Sequence, residues 1–285
     1  MNPYRELVAH HSKWFREGKA LPLGSDARVN PTRFSTSGPT VLIFSPHPDD
    51  ECIVGGLPIR LQRECGWRVV NVAVTQGSRR DRQEERLVEL RAACGFLDFG
   101  LETIGDRGLE KVSVSVRHSD PEGWRLKVSA IEGVLRRHLP RAILFPHAND
   151  WNATHVGVHH LVMDALQGLG KGLSTTLVET EFWGQNYCPN LLIEIGEEVL
   201  TDMITALTFH VGEVRRNPYH LTLPAWMINS VRLGGETVGG QGMAPPDFPF
   251  GTVYRVRRWA DGIVQEAFSG GRVLRGDESP DSFLV

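Results

Sequence analysis

Residues 41–51 read Val-Leu-Ile-Phe-Ser-Pro-His-Pro-Asp-Asp-Glu. Val41-Leu42-Ile43-Phe44 is a short continuous apolar run bounded by turn residues, the pattern of a parallel strand buried on both faces. A polar loop follows at once, and then a helical pattern from about Ile53 to Glu64, with Gly66 placed to stop it. Strand, polar loop and helix in that order open a βαβ unit.

Further such elements follow downstream. Val69–Val74 reads as a strand, and Gln83–Cys94 as a helix with Leu87, Leu90, Ala93 and Cys94 on one face. Leu126–Leu139 reads as a helix ended by Pro140, Ala142–Phe145 as a buried strand and His155–Leu169 as a helix. Strands at Thr176–Phe182 and Leu191–Ile195 and a helix at Glu198–Phe209 complete the series. This alternation predicts an α/β fold: a Rossmann-like three-layer sandwich with a mostly parallel sheet and right-handed crossovers. A short amphipathic helix is expected around Leu7–Phe15, and a Ser/Thr/Pro/Gly-rich connection at Pro31–Thr40. Past about residue 212 the pattern turns Gly/Pro-rich and irregular, apart from a candidate strand at 251–259, and residues 212–285 are expected to wall the substrate side of the crevice. The expected boundaries are an N-terminal extension at 1–38, an α/β domain at 39–260 and a C-terminal tail at 261–285, whose last fifteen or so residues read as mobile.

The chain has 285 residues, 41% hydrophobic and 23% charged, as in an ordinary soluble enzyme. A net charge of −3 gives no basic surface for nucleic acid. Cys52, Cys65, Cys94 and Cys188 are scattered, which excludes a Cys-rich zinc knuckle and a disulfide framework and points to a reducing, cytoplasmic setting. The charged N-terminus lacks an apolar signal core, and no apolar run is long enough to span a membrane.

In an open parallel sheet, ligands bind beyond the carboxyl ends of the strands. Two polar loops land there: Ser45–Glu51 after the first strand, and Pro146–His155 after Ala142–Phe145. One His, two adjacent Asp and a distant His supply what a hydrolytic zinc needs, namely three protein ligands with a position left open. Of two neighbouring Asp, one can bind metal while the other handles the proton. Pro46 and Pro48 stiffen the loop. The competing account is a plain turn in which Asp49 or Asp50 caps a helix.

Other residues carry two readings each. His159, four residues after His155, is a metal ligand or a packing residue on the same helix face. His160 is read as surface-facing, and His147 ends a strand near the crevice. Asp150 orients a ligand His or caps a turn. Glu51 belongs in the first helical turn, Cys52 packs, and His210 is buried or caps a helix end. Trp151 and Trp183 stack on a sugar ring or simply pack. Gly234-Gly235 and Gly239–Gly242 suggest a tight loop at the crevice rim.

At Pro46-His47-Pro48-Asp49-Asp50-Glu51 the chain resembles the PIG-L/LmbE-type N-deacetylases, which carry this motif after their first strand and a second His motif later. The resemblance runs from about Val41 to Gln241 and takes in Thr75-Gln76-Gly77, Arg86 with Glu89-Leu90, and Glu181-Phe182-Trp183. It implies that His47, Asp50 and His155 hold Zn2+, or iron or cobalt in its place, and that Asp49 is the general base. It places Arg86 as a substrate contact. The second motif departs from the family, with Asn152 where a His is common and Thr154 where an Asp is. Asn152 can donate a hydrogen bond to an oxyanion but cannot act as an acid, so Asp49 itself, His147, His159 or His210 is left to carry the proton.

The function these readings imply is removal of an N-acetyl group from a small acetamido substrate of N-acetylglucosamine type. The rivals are an amidase for a larger acyl amide and a catalytically impaired metal- or sugar-binding protein. Homo-oligomerisation is left open.

Overall fold

A computed structural model describes residues 2–24, 33 and 37–284. The connection read at Pro31–Thr40 therefore lies largely outside the described residues. In chain order the elements are α1 (Tyr4–Gly18), β1 (Thr40–Ser45), α2 (Asp50–Ile53), α3 (Gly56–Cys65), β2 (Arg68–Ala73), α4 (Gln83–Leu97) and β3 (Gly100–Thr103). Then come α5 (Val114–Ser119), α6 (Pro121–His138), β4 (Ala142–Pro146), α7 (Ala153–Leu169), β5 (Thr175–Thr180), β6 (Leu191–Glu194) and α8 (Glu197–Thr208). The chain closes with α9 (Val211–Arg216), α10 (Tyr219–Thr237), β7 (Gly251–Ala260), β8 (Ile263–Glu266) and β9 (Arg272–Leu274).

One sheet holds all these strands in the order β3-β2-β1-β4-β5-β7-β6-β9, with β8 paired to the far half of β7. The strands from β3 to β5 are parallel, while β7 runs antiparallel to both β5 and β6. The strand order reverses between β1 and β4: β2 and β3 build outward on one side, β4 and β5 on the other. A crevice opens at such a switch point, beyond the carboxyl ends of the two strands.

The alternation of side chains along each strand divides the core into two layers. Val41 and Ile43 of β1 face a cluster with Leu57 of α3, Leu90 of α4 and Met203 of α8. Leu42 and Phe44 face the other cluster, with Ile131 of α6 and Leu161 of α7. Helices thus cover both faces of the sheet, giving the three-layer α/β arrangement expected from the sequence.

Three expectations change in detail. The helix read from Ile53 to Glu64 is two helices, broken at Val54-Gly55, with Pro58 in the first turn of α3, where a missing N–H costs little. Its stop at Gly66 is as read: φ is 68° and the glycine N–H returns to Gln62 O. The irregular region past residue 212 holds α10, which carries Pro224 inside it, and Gly234-Gly235 lies within that helix rather than in a rim loop.

The expected mobile tail is docked. Strand β9 pairs with β6, and Phe283 and Leu284 are buried. Arg60, 2% exposed, donates to the carbonyls of Glu194, Arg275, Gly276 and Glu278 and to the Glu64 carboxylate. A buried guanidinium requires acceptors, and the tail backbone supplies most of them. Among the described residues, no helix is long and apolar enough to cross a membrane.

Candidate metal centre and active site

The loop after β1 is clamped from its neighbour. Thr75, just past β2, donates its hydroxyl to Pro46 O at 2.6 Å and accepts the Gly77 N–H at 3.1 Å. Gly77 has φ of 84°, and a Cβ there would stand 2.4 Å from Arg86 Nη1. The glycine lets the Arg86 guanidinium pass through to the loop, where it donates to Pro48 O at 2.8 Å. The Thr75-Gln76-Gly77 run and Arg86 therefore act together in shaping the turn.

That turn and the start of α7 bring together the three residues read as ligands. His47 Nδ1 lies 3.2 Å from His155 Nε2 and 3.5 Å from Asp50 Oδ2, and His155 Nε2 lies 3.4 Å from the same carboxylate oxygen. Ligands about 2.0–2.1 Å from a tetrahedral ion are about 3.3–3.4 Å apart. The three edges match that spacing, and these residues form a candidate metal group. The donor chemistry fits as well. Burial pushes the Asp50 carboxyl up, but the facing His155 and His47 and the His47 backbone N–H outweigh it and hold Asp50 below its usual range. Burial outweighs the pull of Asp50 on His155 and lowers its proton affinity, the direction that suits a metal ligand.

Residues around His155 fix its ring. Phe182 packs edge-on at a centroid distance of 4.6 Å. Asp150 Oδ1 stands 3.7 Å from His155 Nδ1. The Asp150 carboxylate also accepts the N–H groups of Asn152 (2.8 Å), Trp183 (3.1 Å) and Gly184 (3.3 Å), joining the loops after β4 and β5. His147 fastens the same junction, bonded to Gly184 O at 2.8 Å.

Asp49 sits beside the triangle with φ of 110°, a left-handed backbone that a non-glycine residue holds only under constraint. The constraint is visible: its N–H donates to Glu51 Oε2 at 2.9 Å. Glu51 Oε1 in turn is bonded to His210 Nε2 at 2.7 Å and accepts from Cys52 Sγ at 3.1 Å. Glu51, Cys52 and His210 are wholly enclosed. Their close grouping is accounted for by these hydrogen bonds, so Cys52 and His210 pack behind the site. The Asp49 carboxyl is pushed up to about 7, by burial first and then by neighbouring Asp50, against the pull of His210, Arg86 and Tyr219.

A cavity of about 400 Å³ opens in front of these groups. His47, Asp49, Asp50, Arg86, Asn152 and Trp183 all line it, as does a wall from the stretch past residue 212 expected on the substrate side, through residues that the sequence reading had not singled out: Glu213 of α9, and Tyr219, Leu223 and Trp226 of α10. Asn152 Oδ1 accepts the Thr154 N–H at 2.9 Å and caps α7, so its remaining donor is Nδ2. Trp151 is not part of this wall and is 81% exposed. His159 is not a third imidazole of the triangle: its Nδ1 bonds Pro146 O at 3.0 Å, and burial lowers its pKa to about 4. His160 packs edge-on against it.

Comparison with known proteins extends this picture. The fold is shared with 4-carboxy-2-hydroxymuconate hydratase from Pseudomonas putida, at 17% identity and a TM-score of 0.57 over 77% of this chain and 96% of that one. It is shared with N,N'-diacetylchitobiose deacetylase from Pyrococcus horikoshii, at 15% and 0.55 over 90% and 93%. The zinc-inhibited form of teicoplanin deacetylase is similar at 14% and 0.51 over 78% and 99%. At these identities the likeness is one of fold. No curated protein sequence matches the chain. A family model described as PIG-L, GlcNAc-PI de-N-acetylase, matches residues 42–166, a shorter span than the resemblance read from about Val41 to Gln241. His47, Asp49, Asp50 and His155 all fall inside that span.

Proposed function

We propose that this protein is a metal-dependent N-deacetylase of a small acetamido substrate, an amino sugar of N-acetylglucosamine type. The observation that carries the reading is the triangle of His47, Asp50 and His155, with Asp49 at its side and a cavity in front. When bound there, a divalent cation such as Zn2+ supplies Lewis-acid polarisation of a carbonyl and makes a water more acidic.

The chain's own residues do the rest. Asp49, with its raised proton affinity, accepts a proton from the attacking water and returns it to the leaving nitrogen. This one group takes over the acid role left open by Asn152. His210 is enclosed and bonded to Glu51, and cannot reach a substrate. Asn152 Nδ2 is available to hold a carbonyl oxygen as it gains charge. Trp183 and Trp226 offer aromatic faces to a sugar ring, and Arg86 reaches the same cavity while holding Pro48.

The test is acetate release from N-acetylated amino sugars by the purified, Zn2+-loaded protein, with metal content measured in parallel. Full metal occupancy without release from any substrate in the panel would sink the reading.

A further inference from the structure

The wall opposite the ligand triangle contributes a group that touches Asp49 directly. Tyr219 opens α10, and its hydroxyl donates to Asp49 Oδ2 at 2.6 Å. Arg86 Nη2 approaches the same oxygen at 3.6 Å. Both contacts fall on Oδ2, and the cavity runs past the same carboxylate.

We propose that Tyr219 is a positioning residue for amide hydrolysis: its hydroxyl holds Oδ2 of Asp49 and leaves Oδ1 as the oxygen that takes and returns the proton. The inference rests on the hydrolase reading above and assigns one device within it. The water gives a proton to Oδ1 while its oxygen bonds to the carbonyl carbon, and the carbonyl π pair moves onto the carbonyl oxygen. The proton then passes from Oδ1 to the amide nitrogen as the oxygen's pair re-forms the C=O bond, the C–N bond breaks and its electron pair goes to nitrogen. The products are the free acid and the amine, and Tyr219 keeps its own proton throughout.

Three features suit Tyr219 to this task. Its place is fixed, because its N–H bonds Asn217 O at 2.7 Å and the next two residues, His220 and Leu221, are buried. It remains a donor, because burial and the nearby Asp49 and Asp50 carboxylates push its phenol far up. A carboxylate beside a cation-holding carboxylate is free to turn unless something outside the cation site holds it, and Tyr219 comes from a helix that provides none of the three ligands.

The experiment compares wild type with Tyr219→Phe, both loaded with Zn2+. The expected result is a kcat at least about tenfold lower with KM within about threefold, while zinc per protein and thermal midpoint match wild type. A kcat within about twofold of wild type overturns the proposal. So does a kcat loss that tracks metal loss, since that would make Tyr219 a support for the site as a whole. Leu223→Ala, on the same cavity wall, serves as the packing control and should act mainly on KM. Wild type failing to hydrolyse any substrate removes the deacetylase reading and this one together; an active wild type with an unimpaired Tyr219→Phe removes only this one.

Discussion

Glu51 and His210 lie 159 positions apart in sequence and meet at 2.7 Å with neither side chain reaching solvent. Burial alone would lower the proton affinity of His210, but the facing Glu51, with Asp49 and Glu89 behind it, overcomes that and raises it. The free oxygen of that carboxylate receives the Asp49 N–H. An enclosed pair from α2 and the start of α9 therefore holds the unusual backbone of the proposed base.

Removing one partner should expose how much this arrangement stabilises. His210→Ala leaves the buried Glu51 without its imidazole hydrogen-bond partner, and should cost about 1–3 kcal/mol in unfolding free energy. Urea denaturation checks it. A loss below about 1 kcal/mol would mean that Glu51 is satisfied by Cys52 and the backbone alone.

The ligand triangle predicts a graded metal phenotype. His47→Ala, Asp50→Ala and His155→Ala should each purify with a small fraction of the wild-type metal, as read by elemental analysis. His159→Ala should retain it, since that imidazole is committed to Pro146 O. Equal metal content across all four variants would disperse the proposed site.

Asp49 and Asn152 should separate chemistry from metal binding. Asp49→Asn is expected to keep its zinc and to lose at least about a hundredfold in kcat, the range for a positioned general base. Asn152→Ala should lower kcat by about tenfold or more through the missing donor. It should also cost about 1 kcal/mol of stability, because Asn152 caps α7. Steady-state kinetics and denaturant melts on the same preparations would show both.

Glu181 gives the fold a dependence on pH. Its carboxyl is pushed up from 4.5 to about 7 by burial, against a single backbone hydrogen bond from Asn186. The folded state thus holds this proton more tightly than the unfolded chain does. The stabilising contribution is complete below about pH 4.5, is lost as the pH rises to about 7, and amounts to at most about 3 kcal/mol. Glu181→Gln should raise the thermal midpoint relative to wild type at about pH 8, with the gap closing toward about pH 4. A gap that does not change with pH would contradict this.

The sheet and the meeting of His47, Asp50 and His155 were legible because the physics is local. Val41–Phe44 is a run too apolar for a surface strand, and the polar loops follow it and Ala142–Phe145 directly. Spacing could not show that β1 and β4 are neighbours at the switch point, but the crevice rule put both loops at the same end of the sheet. A wall from the stretch past residue 212 was expected, but its helix α10 was missed because Pro224 and Gly234-Gly235 mask it. The signal was present nonetheless: His220, Leu223, Met227, Ser230 and Gly234 recur at helical spacing, and all are buried. Trp151 was overvalued because position after a strand says nothing about which way a side chain points. Glu213, Tyr219 and Trp226 had no motif to announce them, since only tertiary contact brings α9 and α10 over the loop after β1.

The division of labour between the two ends of the chain has an evolutionary consequence. All three ligand donors come from residues 47–155, while the facing wall comes from residues 213–226. Mutational drift in the later stretch can thus reshape what the crevice admits without disturbing the cation-holding loops. A substitution confined to that stretch would alter what enters the crevice while His47, Asp50 and His155 keep their mutual spacing.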